Sequence, residues 1–549
     1  MSTPTADITK AILEGFENHK IKDFKEPADA RLLREKIQAF KTLPPKLYHS
    51  IVAGGEIVEG KEIFPTINPN RPRQVIAYFS EFGTNSEQIE YVVNLANEAS
   101  KKFARLPLEA RIQFLNAAAD IFKERELDFV VAPIEEVGKN PREAHADWAE
   151  GYDFLRYYAK GIPFWHGSTI ISSITSIMAS LLHRPIGSII SGGPFNFPAA
   201  IVAGQDGLGL SGANASISKP SPYASLCGMM VFEVFEEALR RLDINIPGLV
   251  NIAFGGAKEM QAFLQSPNIR GVSYTGGLKG AREIQDIILD KEGIGYRVMP
   301  LAFESNGVNA ITVLDDATLE TALNGTLRGL SFGAQKCSAP RWLLVQEGIY
   351  LKFRERLIEG FAKVKVGPVE PEVDGSYNYY GALIREHKTH EVLQKIEDFK
   401  TKGVKILVGE NPIVENPEGG VFMRPVLGEV SLDVLEAHPE LRGTEIFGPY
   451  MTLLKVKDLE QALRIENMTR FALTGGLYTH NKEAIRRYVE ESRVPKKYIN
   501  TQGGVVGAKV GDGFGAPGNT WSGLGNILGA GGPFTGLRAI LEGTVIGEP

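Results

Sequence analysis

Apolar and polar positions recur along this chain with two different periods. From Ile51 to Phe79, in IVAGGEIVEGKEIFPTINPNRPRQVIAYF, short alternating runs broken by glycine, proline and asparagine predict strands joined by turns. The stretches SEQIEYVVNLANEASKKFARL and LEARIQFLNAAADIFKEREL that follow space their apolar residues three and four apart, which predicts amphipathic helices, and helical spacing continues to about Lys160. The first 45 or so residues are also helical in pattern, and charged, ending at LPPKLY; they read as an arm packed on the main body. Ser/Ile alternation in GSTIISSITSIMASLLHRPIGSIISGG then predicts extended chain ending on Gly-Gly-Pro.

Between Ile186 and about Phe303 the pattern becomes strand, helix, strand, helix: IGSIISGG, AGQDGLGLSGA, NASISKP, ASLCGMMVFEVFEEALRRL, GLVNIAFGG, KEMQAFLQS, GVSYTGG. Short apolar strands alternating with helices imply an α/β fold with a parallel sheet covered on both faces. Ligands bind such sheets at the carboxyl ends of the strands, where the turns here are rich in glycine. A second series of the same kind runs from NAITVLD through RWLLVQ and FRERLIEGFAKV to FALTGGLYTH, so two such domains are expected. The tail from Gly503 to Pro533 is so rich in glycine that it is expected to fold over a site instead of building core.

Length agrees with this division, since 549 residues exceed what one hydrophobic core organises. A net charge of -6 has the wrong sign for a surface that must neutralise phosphates, so nucleic acid is not an expected partner. No window approaches the roughly 18 apolar residues of a membrane span, and MSTPTADITK lacks a signal-like core; a cytoplasmic protein without a membrane partner is expected. Two cysteines, Cys227 and Cys337, make neither a disulfide framework nor a cysteine-rich metal site, and no metal is expected.

Three positions have candidate chemistry. Cys337, in FGAQKCSAPRW, falls at an element boundary where side chains can face a cleft, and the neighbouring Lys336 would favour a thiolate by charge. On position alone a buried structural thiol fits Cys337 equally well, whereas Cys227, on an apolar helix face, reads as core. Glu304 stands in an uncharged stretch before an apolar strand, where a carboxylate must be paired, exposed to a cleft or shifted in pKa; it is either a base or a carboxylate satisfied by loop donors. Asn196, between phenylalanines and prolines at the end of IGSIIS, is placed to donate its amide into a rigid apolar pocket or to start a helix.

The motifs GPFNFP, SISKPSP, GLVNIAFGGAKE, VSYTGG, FESNGVN, GAQKCSAP, TEIFGPY and LTGGLYTH occur in one order, and from about Ile51 onward the chain resembles the aldehyde dehydrogenase superfamily. The resemblance implies two Rossmann-like parallel-sheet domains with a small bridging element for oligomerisation. It places an N-terminal helical arm at 1–50, a dinucleotide-binding domain at 51–302 with a bridging hairpin at about 163–184, a catalytic domain at 303–498, and a substrate-loop and bridging tail at 499–549. Carried over residue by residue, Cys337 is the nucleophile, Asn196 the oxyanion donor and Glu304 the base that activates water against the thioester. The cofactor implied is NAD, with NADP possible because Pro222 stands where the family often has the acid that bonds the ribose 2'-hydroxyl. Lys219, Ser221, Gly256, Gly276, Gly277, Glu445, Phe447 and Phe195 match its binding positions.

Within that superfamily EEVGKNPREAHADWAEGYDFLRYYAKG, GAQKCSA and the long arm are most similar to the 1-pyrroline-5-carboxylate dehydrogenases, which oxidise glutamate γ-semialdehyde to glutamate. Glu150, Phe197, Ser338 and Gly504 match substrate positions, although Gly504 stands where that branch has serine. Glu143, Asp147 and Glu150 form one acidic stripe at helical spacing, which reads first as a solvated face. The alternatives are a dehydrogenase of another semialdehyde, such as one linked to coenzyme A, and an idle binding protein. The hairpin GSTIISSITSIMASLLHRP, with an exposed apolar strand, implies a homodimer or higher homo-oligomer.

Overall fold

The computed structural model describes residues 16–52, 54–165, 168–174, 177–182, 184–289, 299–504 and 543–546. Two large sheets organise them. The first has seven strands in the order Leu301–Ser305, Gly271–Gly276, Ser188–Gly192, Ala215–Lys219, Val250–Ile252, Ser50–Val52 and Glu56–Val58. The first five run parallel. Ser188–Gly192, Ala215–Lys219 and Val250–Ile252 are buried along their whole length, as strands covered on both faces must be. One covering helix, Ala200–Ser211, is itself buried on every side.

The second sheet has eight strands in the order Lys405–Val408, Val426–Val430, Tyr450–Val456, Pro340–Gln346, Asn309–Val313, Thr474–Tyr478, Lys496–Ile499 and Gly543–Ile546. All neighbours are parallel except the first pair. Leu301–Ser305 pairs with Gly271–Gly276, so the chain passes between sheets after Ser305, slightly beyond the expected boundary at 302. Asn306, in the left-handed region at φ 64°, makes that turn.

The arm forms the helix Pro27–Thr42, which buries Ala30, Leu33 and Ile37. Its Lys41 pairs with Glu135 at 3.6 Å and Glu370 at 2.9 Å. The helix Glu126–Val137 stops at Gly138, whose φ of 75° is the left-handed conformation of a glycine C-cap. Asn140 then accepts the Glu143 N–H at 2.9 Å ahead of Pro141, starting the long helix Pro141–Trp165. Strands Ser168–Ile174 and Ile177–Leu182 form an antiparallel hairpin. Residues 505–542 of the glycine-rich tail lie outside the described residues. Among the described residues no helix is long and apolar enough to cross a membrane.

Candidate active site

A cavity of about 900 Å³ lies where the carboxyl ends of the first sheet's strands face the second sheet. Gly192, Lys219, Gly276 and Glu304 enter it from four of those strand ends, and Asn196 and Gly256 from the turns after two strands. Cys337, Ser338, Glu445 and Phe447 close it from the other half, and Phe195, Phe197, Ser221, Gly277 and Glu150 complete the expected set. Gly504 is the exception. It does not line this cavity; its φ is +70°, and an added Cβ would lie 2.2 Å from the Gly325 carbonyl oxygen, so backbone packing explains the glycine there.

The thiol sits after a strained turn. Phe332, Gly333 and Ala334 have φ of 54°, 60° and 53°, and two of the three are residues that seldom adopt the left-handed region. Polar contacts over-determine this segment. Arg341 donates to the carbonyls of Ala334 at 2.9 Å and Lys336 at 3.0 Å. Asn309 donates to those of Cys337 at 2.6 Å and Ala339 at 2.9 Å, while its own oxygen accepts the N–H groups of Leu473 and Thr474. Thr474 Oγ1 donates to the Ser338 carbonyl at 3.0 Å. Gly307 approaches so closely that an added Cβ would lie 1.7 Å from the Cys337 carbonyl oxygen. Asn196 Nδ2 reaches across from the first half to donate to the Gln335 carbonyl at 3.1 Å, which brings the amide beside the cysteine loop.

The electrostatics differ from the expectation at Lys336. Its ammonium is buried and paired with Glu143 Oε2 at 2.5 Å and Ser331 Oγ at 2.8 Å, so its charge is already matched and is not what activates Cys337. Burial, with the carboxylates of Glu304, Glu445 and Glu150 adding repulsion, pushes the Cys337 thiol up to about 12. Positive charge or hydrogen-bond donors brought to the sulfur would favour the thiolate. Glu150 is pushed up to about 8, first by burial and then by Asp147. The acidic stripe is not solvated: Glu143 and Asp147 are buried and Glu150 faces the cavity, because the helix is packed on this side as well as the other. Cys227 is wholly buried, and its N–H donates to Glu136 at 3.0 Å.

At the far end of the cavity Lys219 Nζ donates to the Gly255 carbonyl at 2.8 Å, and burial lowers its pKa to about 8. A Cβ at Gly276 would lie 2.3 Å from the Tyr274 hydroxyl, whereas Gly277 faces open space at the start of the helix Leu278–Leu289. That opening leaves room for an anionic group at a helix N-terminus. Glu445 accepts the Gly307 N–H at 3.0 Å and lies 3.7 Å from Arg341. Phe195 and Phe447 meet edge to face, with centroids 6.2 Å apart.

Sequence reasoning missed Asn309 and Arg341, although a polar residue opening each of the apolar strands NAITV and RWLLV is a signal. It also missed the helix Glu386–Thr401, whose Lys388, Glu391 and Lys395 line the cavity; Lys395 Nζ donates to the Glu445 carbonyl at 2.7 Å. Chemically the centre offers a thiol, a carboxamide donor and a carboxylate around one space.

The model of the aldehyde dehydrogenase family matches residues 57–533. A 1-pyrroline-5-carboxylate dehydrogenase of Bacillus subtilis is 29% identical over 501 residues, 90% of this chain and 92% of that protein. An alpha-ketoglutaric semialdehyde dehydrogenase of the same organism is 27% identical over 440 residues, 79% of this chain and 86% of the relative. Among solved structures, a Thermus 1-pyrroline-5-carboxylate dehydrogenase with bound NAD superimposes with a TM-score of 0.82 at 28% identity, covering 90% of this chain and 92% of the other. The family match takes in most strands of both sheets and the thiol, and on that ground this chain, an oxidoreductase, belongs to the aldehyde dehydrogenase family.

Proposed function

We propose that the protein oxidises L-glutamate γ-semialdehyde, the open form of 1-pyrroline-5-carboxylate, to glutamate, with NAD as the hydride acceptor. The observation that carries this reading is the convergence of Cys337, Asn196 and Glu304 on one cavity shared by both halves of the chain. Cys337 gives up its thiol proton to water in the cavity as its sulfur attacks the aldehyde carbon and opens the C=O double bond. Asn196 Nδ2 and the Cys337 N–H hold the resulting oxyanion. Loss of hydride from that carbon restores the C=O bond as a thioester. Glu304 then takes a proton from a water whose oxygen attacks the thioester, and the C–S bond breaks to give the carboxylate and free the sulfur.

The dinucleotide fits the residues present: Lys219 and Ser221 for the adenosine ribose, Gly256 and the open Gly277 turn for the pyrophosphate, and Glu445 with Phe447 for the nicotinamide end. When bound, it supplies the hydride acceptor. Pro222 puts no carboxylate against a 2'-phosphate, so NADP is accepted as well. Glu150 supports an ammonium-bearing substrate, being a carboxylate that faces the cavity near Phe197 and Ser338. The hairpin Ser168–Ile174/Ile177–Leu182 pairs with no other strand among the described residues, which supports self-association through it.

Cys337→Ser is expected to abolish NADH formation while nucleotide binding, followed by fluorescence quenching, stays within about twofold of wild type. Turnover retained by the serine variant would refute the reading. A panel of glutamate semialdehyde, 2-oxo semialdehyde and coenzyme-A-linked semialdehyde, with each nicotinamide, is expected to favour the first; preference for either of the others overturns the substrate.

A further inference from the structure

Of the four carboxylates on the helix Pro141–Trp165, Glu143, Asp147, Glu150 and Asp153, only Glu150 lines the cavity. Glu143 and Asp147, one turn apart, are buried against lysines from two different segments. Glu143 grips Lys336, the residue before the thiol, and Lys336 in turn holds Ser331 at the start of the strained turn. Asp147 grips the other side. Its Oδ1 accepts the Ala200 N–H at 2.9 Å, four residues after Asn196. Its Oδ2 lies 3.4 Å from Lys139 Nζ, and that ammonium stands 3.7 Å from the centroid of the Phe197 ring, next to Asn196, and 5.3 Å from that of Phe332.

One rigid helix thus fastens, a turn apart, the loop that bears the thiol and the loop that bears the amide. The two loops meet through Asn196 Nδ2 and the Gln335 carbonyl. A buried ion pair adds little net stability over apolar packing of the same volume. Two of them, ending beside the two reacting groups, are better explained by register than by fold stability.

We propose that Glu143 and Asp147 are positioning residues: through Lys336 and through Ala200 with Lys139, they fix the separation between the Cys337 sulfur and the Asn196 amide. The inference rests on the roles assigned to Cys337 and Asn196 above. Burial favours the neutral carboxyl of Asp147 while Lys139 opposes it; at Glu143 burial also pushes upward, but the ion pair with Lys336 outweighs it and the net shift is downward.

A double-mutant cycle tests this, with first-turnover hydride transfer at saturating semialdehyde as the readout. Asp147→Asn is expected to slow that step roughly 10- to 100-fold, the scale of a small misplacement of reacting groups, with nucleotide Kd unchanged. The D147N/N196A double variant is expected to lose at most about twofold more than the roughly 100-fold cost of N196A alone, because the misplacement acts through the amide that N196A removes. Lys139→Met, which spares the helix, is expected to repeat the pattern if D147N folds poorly. For Glu143, E143Q is expected to change the rate of Cys337 alkylation by iodoacetamide several-fold, and K336M/E143Q to bring it back towards wild type. Full additivity of D147N or K139M with N196A, or unchanged alkylation in E143Q, overturns the proposal. A wild-type protein that oxidises no semialdehyde would instead sink the functional reading, leaving the alkylation comparison to judge the positioning.

Discussion

At the scale of single residues, the surroundings decide what a side chain does. Lys336 is next to the thiol in the chain, yet its charge is taken up by Glu143. Asn309 is unremarkable in sequence, yet its amide joins the cysteine loop to Leu473 and Thr474. Glu150 yields a prediction with a definite sign. Burial and Asp147 raise it from its ordinary 4.5 to about 8, so between those values the unfolded chain has lost a proton that the folded chain keeps. Stability conferred at this position is therefore greatest below about 4.5 and falls as pH rises towards 8. Melting curves for wild type and Glu150→Gln are expected to diverge over that window in favour of the variant. A cationic substrate group binds the ionised form, so the wild-type KM for glutamate semialdehyde is expected to fall as pH approaches 8; a pH-independent ratio of the E150Q and wild-type KM would contradict it.

At the scale of elements, periodicity located the helices and strands, because which residues are apolar fixes what an element must hide. It did not say how many of its sides would be covered. The stripe Glu143, Asp147, Glu150 has the spacing of a solvated face, and the helix instead buries Glu143 and Asp147 against the segments that bear Cys337 and Asn196 and turns Glu150 to the cavity. The strand Leu301–Ser305, which contains Glu304, was not legible in the sequence, where Glu304 read only as preceding an apolar strand; its allegiance to the first sheet is a matter of pairing with Gly271–Gly276. The arm was legible as a unit and packs through Ala30, Leu33 and Ile37. Leu33 is fully buried, so Leu33→Ala is expected to cost about 3 kcal/mol in urea or thermal unfolding. A loss below about 1 kcal/mol would mean that the arm contributes little to the fold.

At the scale of the whole molecule, the cavity exists only because both halves of the chain contribute its walls. Cys337 and Glu445 come from the half that contributes the second sheet, Asn196, Lys219 and Glu304 from the half that contributes the first. The self-association proposed for the hairpin would extend the same logic to a second copy of the chain. Light scattering is expected to give at least twice the 60.0 kDa of one chain, and a monomer at micromolar concentration would remove the hairpin from that role.

The sequence by itself determined the α/β alternation, which follows from local period, while the thiol, carboxylate and amide stood out as candidates through the family motifs that contain them. Only the tertiary structure decided that Lys336 is spent on Glu143, that Gly504 packs on Gly325 without lining the cavity, and that one helix contacts both the segment before Cys337 and the segment after Asn196. Those are facts of contact between residues far apart in the chain, and no pattern along a single strand of text encodes which charge will find which partner once water is excluded.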